Sequence, residues 1–506
     1  MTGNSTDNPS KNHFIYKLLN PKSVCVLGAN NNLLTTMGSM QLRNIIAGNG
    51  VGDNIYPIHP TLDNVQGFKA YKSILDLPDS ITPELAFMII PPKYIPDMMQ
   101  QCGIKGIKNL IITSGGFREI GDDGAELSKK IKTLSQKYGI RFIGPNCLGV
   151  YNGWYGYPEI DNAYFHTHWV PFTPKRGNVS IASQSGTIAS LIVWHTNQMD
   201  LRIGKSISVG NENNIDLVDF LEFFRDDPQT EVIGLYIEEI KRGREFKKLA
   251  KEISVKKPIV AIYAGGSEGA SRSIMSHTGS IGGNQKIYDA LFKETGIIAT
   301  NSVREFLFFL RTFSWAQRNN IYPKGNRVAL VGDSGGASSM MAKTSELYGL
   351  KVPEFSKTLQ RQIHELIPPT ASALNPVDLT FDTNFQNLFV RIPKMVANSG
   401  EIDSIMVFGV FDFNEVVELM VGTGYELDEK FKLFASTAET AYIKPTKRLI
   451  KKSKIPIFYI GPMPFGHSVY KTFFRFDVPI FETWDEPTKC MSVLTQYYNF
   501  RAKMSK

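Results

Sequence analysis

The sequence predicts an α/β protein made of three doubly wound domains. Short apolar runs rich in β-branched residues alternate with longer amphipathic segments along the 506 residues, which is typical of parallel sheets covered by helices. Three times, at intervals of roughly 150 residues, an apolar run leads through a loop of small residues into an amphipathic segment. Because a chain of this length is too long to fold around a single hydrophobic core, these repeats indicate separate domains rather than a single barrel.

The three strand–loop–helix units begin with strands predicted at residues 23–28, 178–182 and 327–332. Their loops are the stretch from Gly28 to Gly38, then Ser183-Gln184-Ser185-Gly186, and then Asp333-Ser334-Gly335-Gly336. Such a turn aims several backbone N–H groups and a helix N-terminus at one point, so it can hold an anion. Glycine in such a turn can also serve only to let a strand and a helix pack closely. For each loop taken alone, this structural explanation remains an alternative to anion binding.

The composition narrows the class of function. The formal net charge is +8, but the basic residues are spread out and do not form a patch interleaved with aromatics, which disfavours nucleic acid and suits a small anionic ligand. The four cysteines show no metal-like spacing, so we expect reduced thiols, no metal site and a cytoplasmic location. We also expect no membrane partner, because no apolar run approaches the roughly 20 residues that span a bilayer.

The first unit resembles a dinucleotide-binding turn only superficially. Asn30 stands where a G-x-G-x-x-G motif needs its second glycine, and the next strand ends in His59-Pro60 rather than in an acid for a ribose hydroxyl. An NAD-linked oxidoreductase is therefore disfavoured. Further loops follow later strands, at Ile89-Ile90-Pro91-Pro92, Ser114-Gly115-Gly116-Phe117 and Gly144-Pro145-Asn146-Cys147. All of them belong at the carboxyl edge of a sheet, where doubly wound domains bind ligands.

A histidine in a stretch of small residues is the main catalytic candidate. His277 lies within Ser276-His277-Thr278-Gly279, downstream of a strand predicted at 258–263, and its Gly- and Ser-rich surroundings predict an exposed loop. An exposed histidine can act on an anion when a second group orients its ring. Glu238, at the end of a strand predicted at 232–237, is the candidate for that group, although a solvated loop acid remains the alternative.

Taken together, these motifs resemble the NDP-forming acyl-CoA synthetases, the family that includes ADP-forming acetyl-CoA synthetase and succinyl-CoA synthetase. The resemblance covers about residues 14 to 500 and rests on the order and spacing of short motifs. They are Gly144-Pro145-Asn146-Cys147-Leu148-Gly149, Ser183-Gln184-Ser185-Gly186, Val209-Gly210-Asn211, Tyr236-Ile237-Glu238, Ser276-His277-Thr278-Gly279 and Asn375-Pro376-Val377-Asp378.

The resemblance implies an architecture and a mechanism. It implies a Rossmann-like CoA-binding domain over residues 14–150, a flavodoxin-like domain with the phosphohistidine over 170–318, and a second flavodoxin-like domain over 325–500. It also implies transfer of the acyl group from CoA to phosphate, and of the phosphoryl group to a histidine. An ATP-grasp β subunit, which holds ATP or ADP with Mg²⁺, would then receive the phosphoryl group. The resulting enzyme is an acid–thiol ligase that needs this second subunit.

The resemblance also assigns site residues. His277 matches the phosphorylated histidine, and Glu238 matches the acid that orients it. The acyl- and phosphate-binding positions are Asn146, Ser183, Gln184, Ser185, Gly186, Gly210, Asn211, Thr278 and Gly279. The CoA-binding positions are Gly28, Ala29, Asn30, Gly38, Pro91, Pro92, Ser114 and Gly115.

Several positions depart from the family pattern. The first loop carries Asn30-Asn31-Asn32 in place of a longer glycine-rich stretch, Thr61 stands where a lysine is common, and Gly266 stands where an arginine is common. The segment 154–169 is unusually aromatic, which favours either simple packing or an acyl pocket for an acid bulkier than acetate. The departures keep a second hypothesis open, a non-catalytic CoA- or acyl-CoA-binding regulatory module. The acid and the choice between ADP and GDP stay open.

Overall fold

The computed structural model describes residues 9–34, 36–171, 173–278, 283–380, 382 and 384–504, and the side chains of all of these except 191–194, 271, 275–278, 434, 436 and 439. The chain divides into two compact units, Met1–Leu310 and Arg311–Lys506.

The first unit contains two sheets and a small hairpin. Its strands are β1 Val24–Leu27, β2 Ile55–Ile58, β3 Asn64–Val65, β4 Phe68–Lys69, β5 Leu85–Met88, β6 Asn109–Ile112, β7 Arg141–Ile143, β8 Val150–Asn152, β9 Phe165–His166, β10 Val179–Ser183, β11 Ile203–Ser208, β12 Val232–Ile237, β13 Ile259–Tyr263 and β14 Ile298–Thr300. Its helices are α1 Phe14–Leu19, α2 Met37–Ala47, α3 Ile95–Lys105, α4 Asp122–Tyr138, α5 Gly186–Thr196, α6 Leu217–Asp226, α7 Gly243–Ser254, α8 Glu268–Thr278 and α9 Gln285–Thr295.

The second unit contains one sheet. The boundary between the units falls within α10 Val303–Asn319. After it come β15 Val328–Gly332, α11 Gly335–Leu347, α12 Lys357–His364, β16 Val377–Asp378, α13 Ile392–Ser399, β17 Ser404–Phe408, α14 Phe413–Gly422, α15 Glu429–Ser453, β18 Ile457–Ile460, α16 Ser468–Arg475, β19 Ile480–Phe481 and α17 Asp485–Met504. None of the helices in the described ranges is long and apolar enough to cross a membrane.

Each of the three sheets has a parallel core with the same strand order. The orders are β2-β1-β5-β6-β7, β14-β13-β12-β10-β11 and β16-β15-β17-β18-β19. When the five strands of each parallel core are numbered in chain order, and the second core is read from β11 to β14, every core has the order 2-1-3-4-5. This is the flavodoxin-type doubly wound arrangement. The predicted fold class, three doubly wound α/β sheets, is confirmed. The domain boundaries stay a prediction.

Residues 150–166, which overlap the aromatic segment, contain two strands that the sequence did not predict, β8 and β9. Strand β8 pairs antiparallel with β11, and β9 pairs antiparallel with β8, which extends the second sheet to seven strands. This pairing joins residues that are distant in the chain, so no local pattern reveals it.

Burial explains why the central strands form where the apolar runs lie. All four residues of β1 and all four of β5 are buried. A strand covered by helices on both faces reads as a continuous apolar run rather than as an alternating one. The carboxyl ends of these strands carry the loops that form the candidate site.

Candidate active site

Within the first unit, the loops at the carboxyl edges of the two sheets bond to each other. The amide of Gly144, after β7, donates to the Val209 carbonyl at 3.2 Å, and the amide of Asn211, after β11, donates to the Pro145 carbonyl at 2.9 Å. The two edges at which doubly wound sheets bind ligands therefore meet in one place.

A polar network crosses this meeting point. The side-chain nitrogen Nδ2 of Asn146 donates to Asn211 Oδ1 at 3.3 Å, and Asn211 Nδ2 donates to Glu119 Oε2 at 2.7 Å. The other oxygen of Glu119 accepts from the amide of Gly116 at 2.6 Å. The predicted residues Asn146 and Asn211 are thus brought together. Glu119, which sequence reasoning missed, joins them to the predicted Ser114-Gly115 loop.

Gly210 permits this close approach. Its φ of +62° lies in the left-handed region, and a Cβ there would come within 2.3 Å of the Pro145 carbonyl oxygen. Only glycine satisfies both conditions without displacing the backbone.

A single glutamine joins two strand ends of the second sheet. Gln184, after β10, accepts through Oε1 from the amides of Glu238 at 2.5 Å and Glu239 at 3.1 Å, and its Nε2 donates to the Glu239 carbonyl at 2.8 Å. The backbone of Glu238 is therefore fixed at this edge. The residue is only 7% exposed, which argues against the solvated loop acid.

The turn before α5 is arranged as an anion cradle. The Ser183 hydroxyl donates to the Ser185 carbonyl at 2.7 Å and accepts from the Ser185 amide at 3.1 Å, which shapes the turn. Ser185 then caps the helix by accepting from the amide of Ile188 at 3.4 Å. A helix begins with amides that lack intrahelical partners, and these include Gly186, so a negative group at this end is stabilised.

The candidate histidine lies in a helix rather than in the predicted loop. The backbone of His277 belongs to α8, which contacts the 3-10 turn Arg118–Ile120 that contains Glu119. This expectation was wrong because Ser267 accepts from the amide of Ala270 at 3.2 Å and Glu268 stands in the first turn, and both are helix-start signals. The side chains of His277 and Thr278, and Gly279 altogether, lie outside the described residues.

The predicted CoA loop is held by packing and by its asparagines. A Cβ at Gly28 would lie 1.9 Å from the Ile89 carbonyl oxygen, and one at Gly38 would lie 2.6 Å from the Gly28 carbonyl oxygen. Both glycines thus serve strand–helix packing. Polar contacts brace the loop between them, since the backbone amide of Asn30 donates to Ser39 Oγ at 2.9 Å. Ala29, just before it, is buried.

The other predicted CoA-binding residues lie on the adjacent strand ends. The Ser114 hydroxyl donates to the Ile90 carbonyl at 2.6 Å, and so ties the loop after β6 to the loop after β5, where Pro91 and Pro92 follow. Pro92 packs so close to Gly116 that a Cβ on this glycine would come within 2.8 Å of the ring. The strand order reverses between β1 and β5, so the loops after these two strands border the point where doubly wound sheets bind ligands.

A buried acid beside the network was also missed. The Glu212 side chain is 2% exposed, with Oε2 3.9 Å from the Lys241 ammonium. Burial raises the pKa of Glu212 to about 8, against the opposing effect of Lys241, and burial lowers the pKa of Lys241. Perturbed titrating groups at a ligand-binding edge are typical of functional sites. An acidic residue in a polar loop is normally predicted to be exposed, so the sequence alone did not indicate that Glu212 is buried.

Trp154, the first residue of the aromatic segment, packs away from the candidate site, and an acyl pocket formed by the rest of the segment stays a prediction. The Trp154 indole donates to the Gly177 carbonyl at 2.7 Å, and the Arg176 guanidinium lies 5.0 Å from its ring. Gly177 precedes β10, so Trp154 lies at the amino edge of the sheet, opposite the candidate site. His166 and His168 are buried in the same segment.

Comparisons with known proteins agree with this arrangement. A family model described as a CoA binding domain matches residues 22–153, and one described as a succinyl-CoA ligase like flavodoxin domain matches residues 176–313. The class defined by fold and site is thus a CoA-binding domain joined to a succinyl-CoA ligase-like domain.

Individual relatives narrow the class to one family. The chain is 33% identical over 445 residues to the α subunit of acetate–CoA ligase [ADP-forming] II from Pyrococcus furiosus, covering 87% of this chain and 93% of that one. It is 30% identical to a trans-feruloyl-CoA synthase from an unknown prokaryotic organism, covering 73% of this chain and 51% of that one. A solved dinucleotide-forming acetyl-coenzyme A synthetase 1 from Ca. Korarchaeum cryptofilum, in complex with phosphate and ADP, matches with a TM-score of 0.79 and 27% identity, covering 97% and 98% of the two chains. The chain belongs to the family of ADP-forming acyl-CoA synthetase α subunits, which confirms the resemblance.

Proposed function

We propose that this chain is the α subunit of an ADP-forming acyl-CoA synthetase, an acid–thiol ligase that interconverts an acid, ATP and CoA with an acyl-CoA, ADP and phosphate. The observation that carries the proposal is the network through Asn146, Asn211 and Glu119, which joins the carboxyl edges of a CoA-binding sheet and a second sheet. The reaction needs both edges, because CoA bound at the edge of the first sheet must pass its acyl group to phosphate bound at the edge of the second.

The proposed reaction proceeds in three balanced steps. Phosphate attacks the thioester carbon, the carbon–sulfur bond breaks, and CoA thiol leaves, which gives an acyl phosphate. A ring nitrogen of His277 then takes the phosphoryl group and releases the acid, and ADP finally receives the phosphoryl group as ATP. We propose that the Glu238 carboxylate orients the imidazole and accepts the proton that leaves the histidine ring.

The proposed binding roles come from the family resemblance, and the geometry of the described loops supports them. The turn Ser183-Gln184-Ser185-Gly186 would hold phosphate at the N-terminus of α5, where backbone amides oppose the negative charge. Asn146, Gly210 and Asn211 would line the acyl side, with Thr278 and Gly279 beside the histidine. The loops at Gly28, Ala29, Asn30, Gly38, Pro91, Pro92, Ser114 and Gly115 would bind CoA.

A partner subunit completes the proposed enzyme. The Pyrococcus furiosus relative is named as an α subunit, which supports a second chain. We propose that this chain is an ATP-grasp β subunit that binds ATP or ADP with Mg²⁺. We also propose a cytoplasmic location, which is supported by four cysteines that are all buried and form no disulfide. The relatives are named for different acids, acetate and trans-ferulate, so the acid must be found by experiment.

Labelling tests the proposal directly. The chain, purified with its partner, is incubated with γ-labelled ATP and then with CoA and a panel of acids. Acid-labile label at His277, absent in His277→Ala and discharged only by CoA with a particular acid, is the expected result. CoA binding without any label would overturn the catalytic assignment and favour a binding module.

A further inference from the structure

Glu212 occupies a position that a buried acid rarely takes. Its φ of +50° lies in the left-handed region, which is unfavourable for a residue with a side chain, and its side chain is almost fully buried. Burying a carboxyl group destabilises the fold unless neighbouring groups form hydrogen bonds with it. Its surroundings are therefore informative.

Three strand ends converge on this residue. Glu212 follows β11, and its Oε1 accepts from the amide of Leu217 at 2.9 Å. Lys241, beyond β12, donates to the carbonyls of Asn211 at 2.7 Å and Glu212 at 2.9 Å. The Gln184 side chain, after β10, lies near the Glu212 carboxyl group and opposes the rise in its pKa.

The same two partners hold the candidate site. Gln184 fixes the backbone of Glu238, as its hydrogen bond to that amide shows. Lys241 fixes the carbonyl of Asn211, whose side chain bonds to both Asn146 and Glu119. A change at Glu212 therefore reaches the site through two separate connections, neither of which requires Glu212 to touch substrate.

We propose that Glu212 is a positioning residue for the phosphate-dependent steps, which acts through Gln184 and Lys241 to hold the loops after β10, β11 and β12 in register. The inference rests on the proposed function. It predicts effects on phosphate handling rather than on CoA binding, because the loops it joins all belong to the second sheet.

The charge of Glu212 provides a readout that a merely structural residue would lack. Lys241 faces it from the loop after β12, Asp216 from the start of α6 and Tyr288 from α9, while Arg118 and Glu239 face Lys241. With a pKa raised to about 8 by burial, Glu212 is protonated at neutral pH and ionises above it. The new negative charge repels a bound phosphate, so the KM for phosphate should rise as the pH passes about 8.

The test measures phosphate-dependent release of CoA thiol from acetyl-CoA, and from acyl-CoAs of the acid panel, by the full chain purified with its partner. Glu212→Ala should lower kcat about tenfold or more and raise the KM for phosphate, with the KM for acyl-CoA within about twofold of wild type. Glu212→Gln should recover most of the lost kcat at pH 7 and should not show the alkaline rise in the phosphate KM. Glu252→Gln, an exposed acid on α7, is the matched control.

The outcomes separate the inference from the function on which it rests. If wild type releases no CoA with any acyl-CoA tested, the proposed function fails. If wild type is active and Glu212→Gln keeps the same alkaline rise in the phosphate KM, the positioning role is overturned. That comparison decides the matter even if Glu212→Ala fails to fold. Wild-type kcat and KM values in a folded Glu212→Ala would overturn it as well.

Discussion

At the scale of single residues, the site depends on backbone positions as much as on side chains. Asn146, Gly210 and Glu212 all have positive φ, at +58°, +62° and +50°. Conformations of this kind persist only where the surrounding contacts impose them, and they concentrate at functional sites. Here they bend two loops toward each other so that Asn146 and Asn211 can bond.

The most direct test of this bending is a methyl group at Gly210. Gly210→Ala should destabilise the protein by about 3 kcal/mol and reduce activity, because the added carbon meets the Pro145 carbonyl and the left-handed φ is unfavourable. Gly243→Ala is the matched control, since no atom lies within 4 Å of a Cβ there. Urea unfolding and CoA release are measured for both. Equal stability of the two variants would show that the loops can move apart freely.

The buried histidines give the protein a predictable sensitivity to acid. Burial lowers the pKa of His166 to about 3 and that of His168 to about 4, while the unfolded chain titrates near the ordinary value of 6.5. The unfolded state therefore binds more protons below about pH 6.5, so the stability that neutral histidines permit is lost as the pH falls. The loss is about 2 kcal/mol for each histidine at pH 5.

A substitution isolates one of these contributions. His168→Gln keeps an amide that can donate to the Ser206 carbonyl, which the ring of His168 reaches at 3.2 Å, but the amide does not titrate. We expect this variant to lose about 2 kcal/mol less than wild type between pH 7 and pH 5 in urea unfolding. His195→Gln, at an exposed position, should follow the wild-type curve. A His168→Gln curve parallel to that of wild type would contradict the assignment.

At the scale of secondary structure elements, one carboxylate in the second unit joins two helices. Asp412 caps α14 by accepting from the amides of Asn414 at 3.2 Å and Glu415 at 3.3 Å. It also accepts from the Ser468 hydroxyl at 2.8 Å and the Val469 amide at 3.1 Å, at the start of α16. Although Asp412, Glu415 and His467 lie close enough to hold a metal ion, these bonds occupy the Asp412 oxygens, and His467 pairs with Glu415. A helix-joining role fits better.

Asp412→Ala should therefore cost about 2 kcal/mol of stability, since it removes caps from two helices. Asp428→Ala, which removes only the cap of α15, where Asp428 accepts from the Phe431 amide at 2.7 Å, should cost about 1 kcal/mol. Thermal unfolding with EDTA and with added Zn²⁺ completes the test. A Tm raised by Zn²⁺ in wild type and not in Asp412→Ala would identify a metal site instead.

The elements also show what sequence alone could predict. The three strand–loop–helix units were predicted because each depends on a local pattern, an apolar run followed by small residues. Strands β8 and β9 could not be, because their pairing with β11 is a long-range contact. Helix α8 was mistaken for a loop because serines and glycines outweighed the cap at Ser267. Glu119 and Glu212 were missed because burial, which gives them significance, is a property of the folded chain.

At the scale of the whole molecule, the same doubly wound order occurs three times, and the roles proposed for the sheets differ. The first unit brings two carboxyl edges together at the candidate site, and every proposed acyl, phosphate and CoA contact lies within it. The proposed chemistry of the thioester should therefore need no nucleotide. The nucleotide step, in contrast, is assigned to the partner subunit.

This division predicts that the chain alone catalyses part of the reaction. Without its partner, it should release CoA from an acyl-CoA in the presence of phosphate and acquire labelled phosphate at His277, because both steps use groups of this chain. It should form no ATP from ADP until the partner is added. Thiol release, acid-labile label and ATP formation are measured separately, with His277→Ala as the control that should retain the first and lose the other two. ATP formation by the isolated chain would contradict the division, whereas label without ATP would locate the phosphoryl group on this subunit at the point where the partner must collect it.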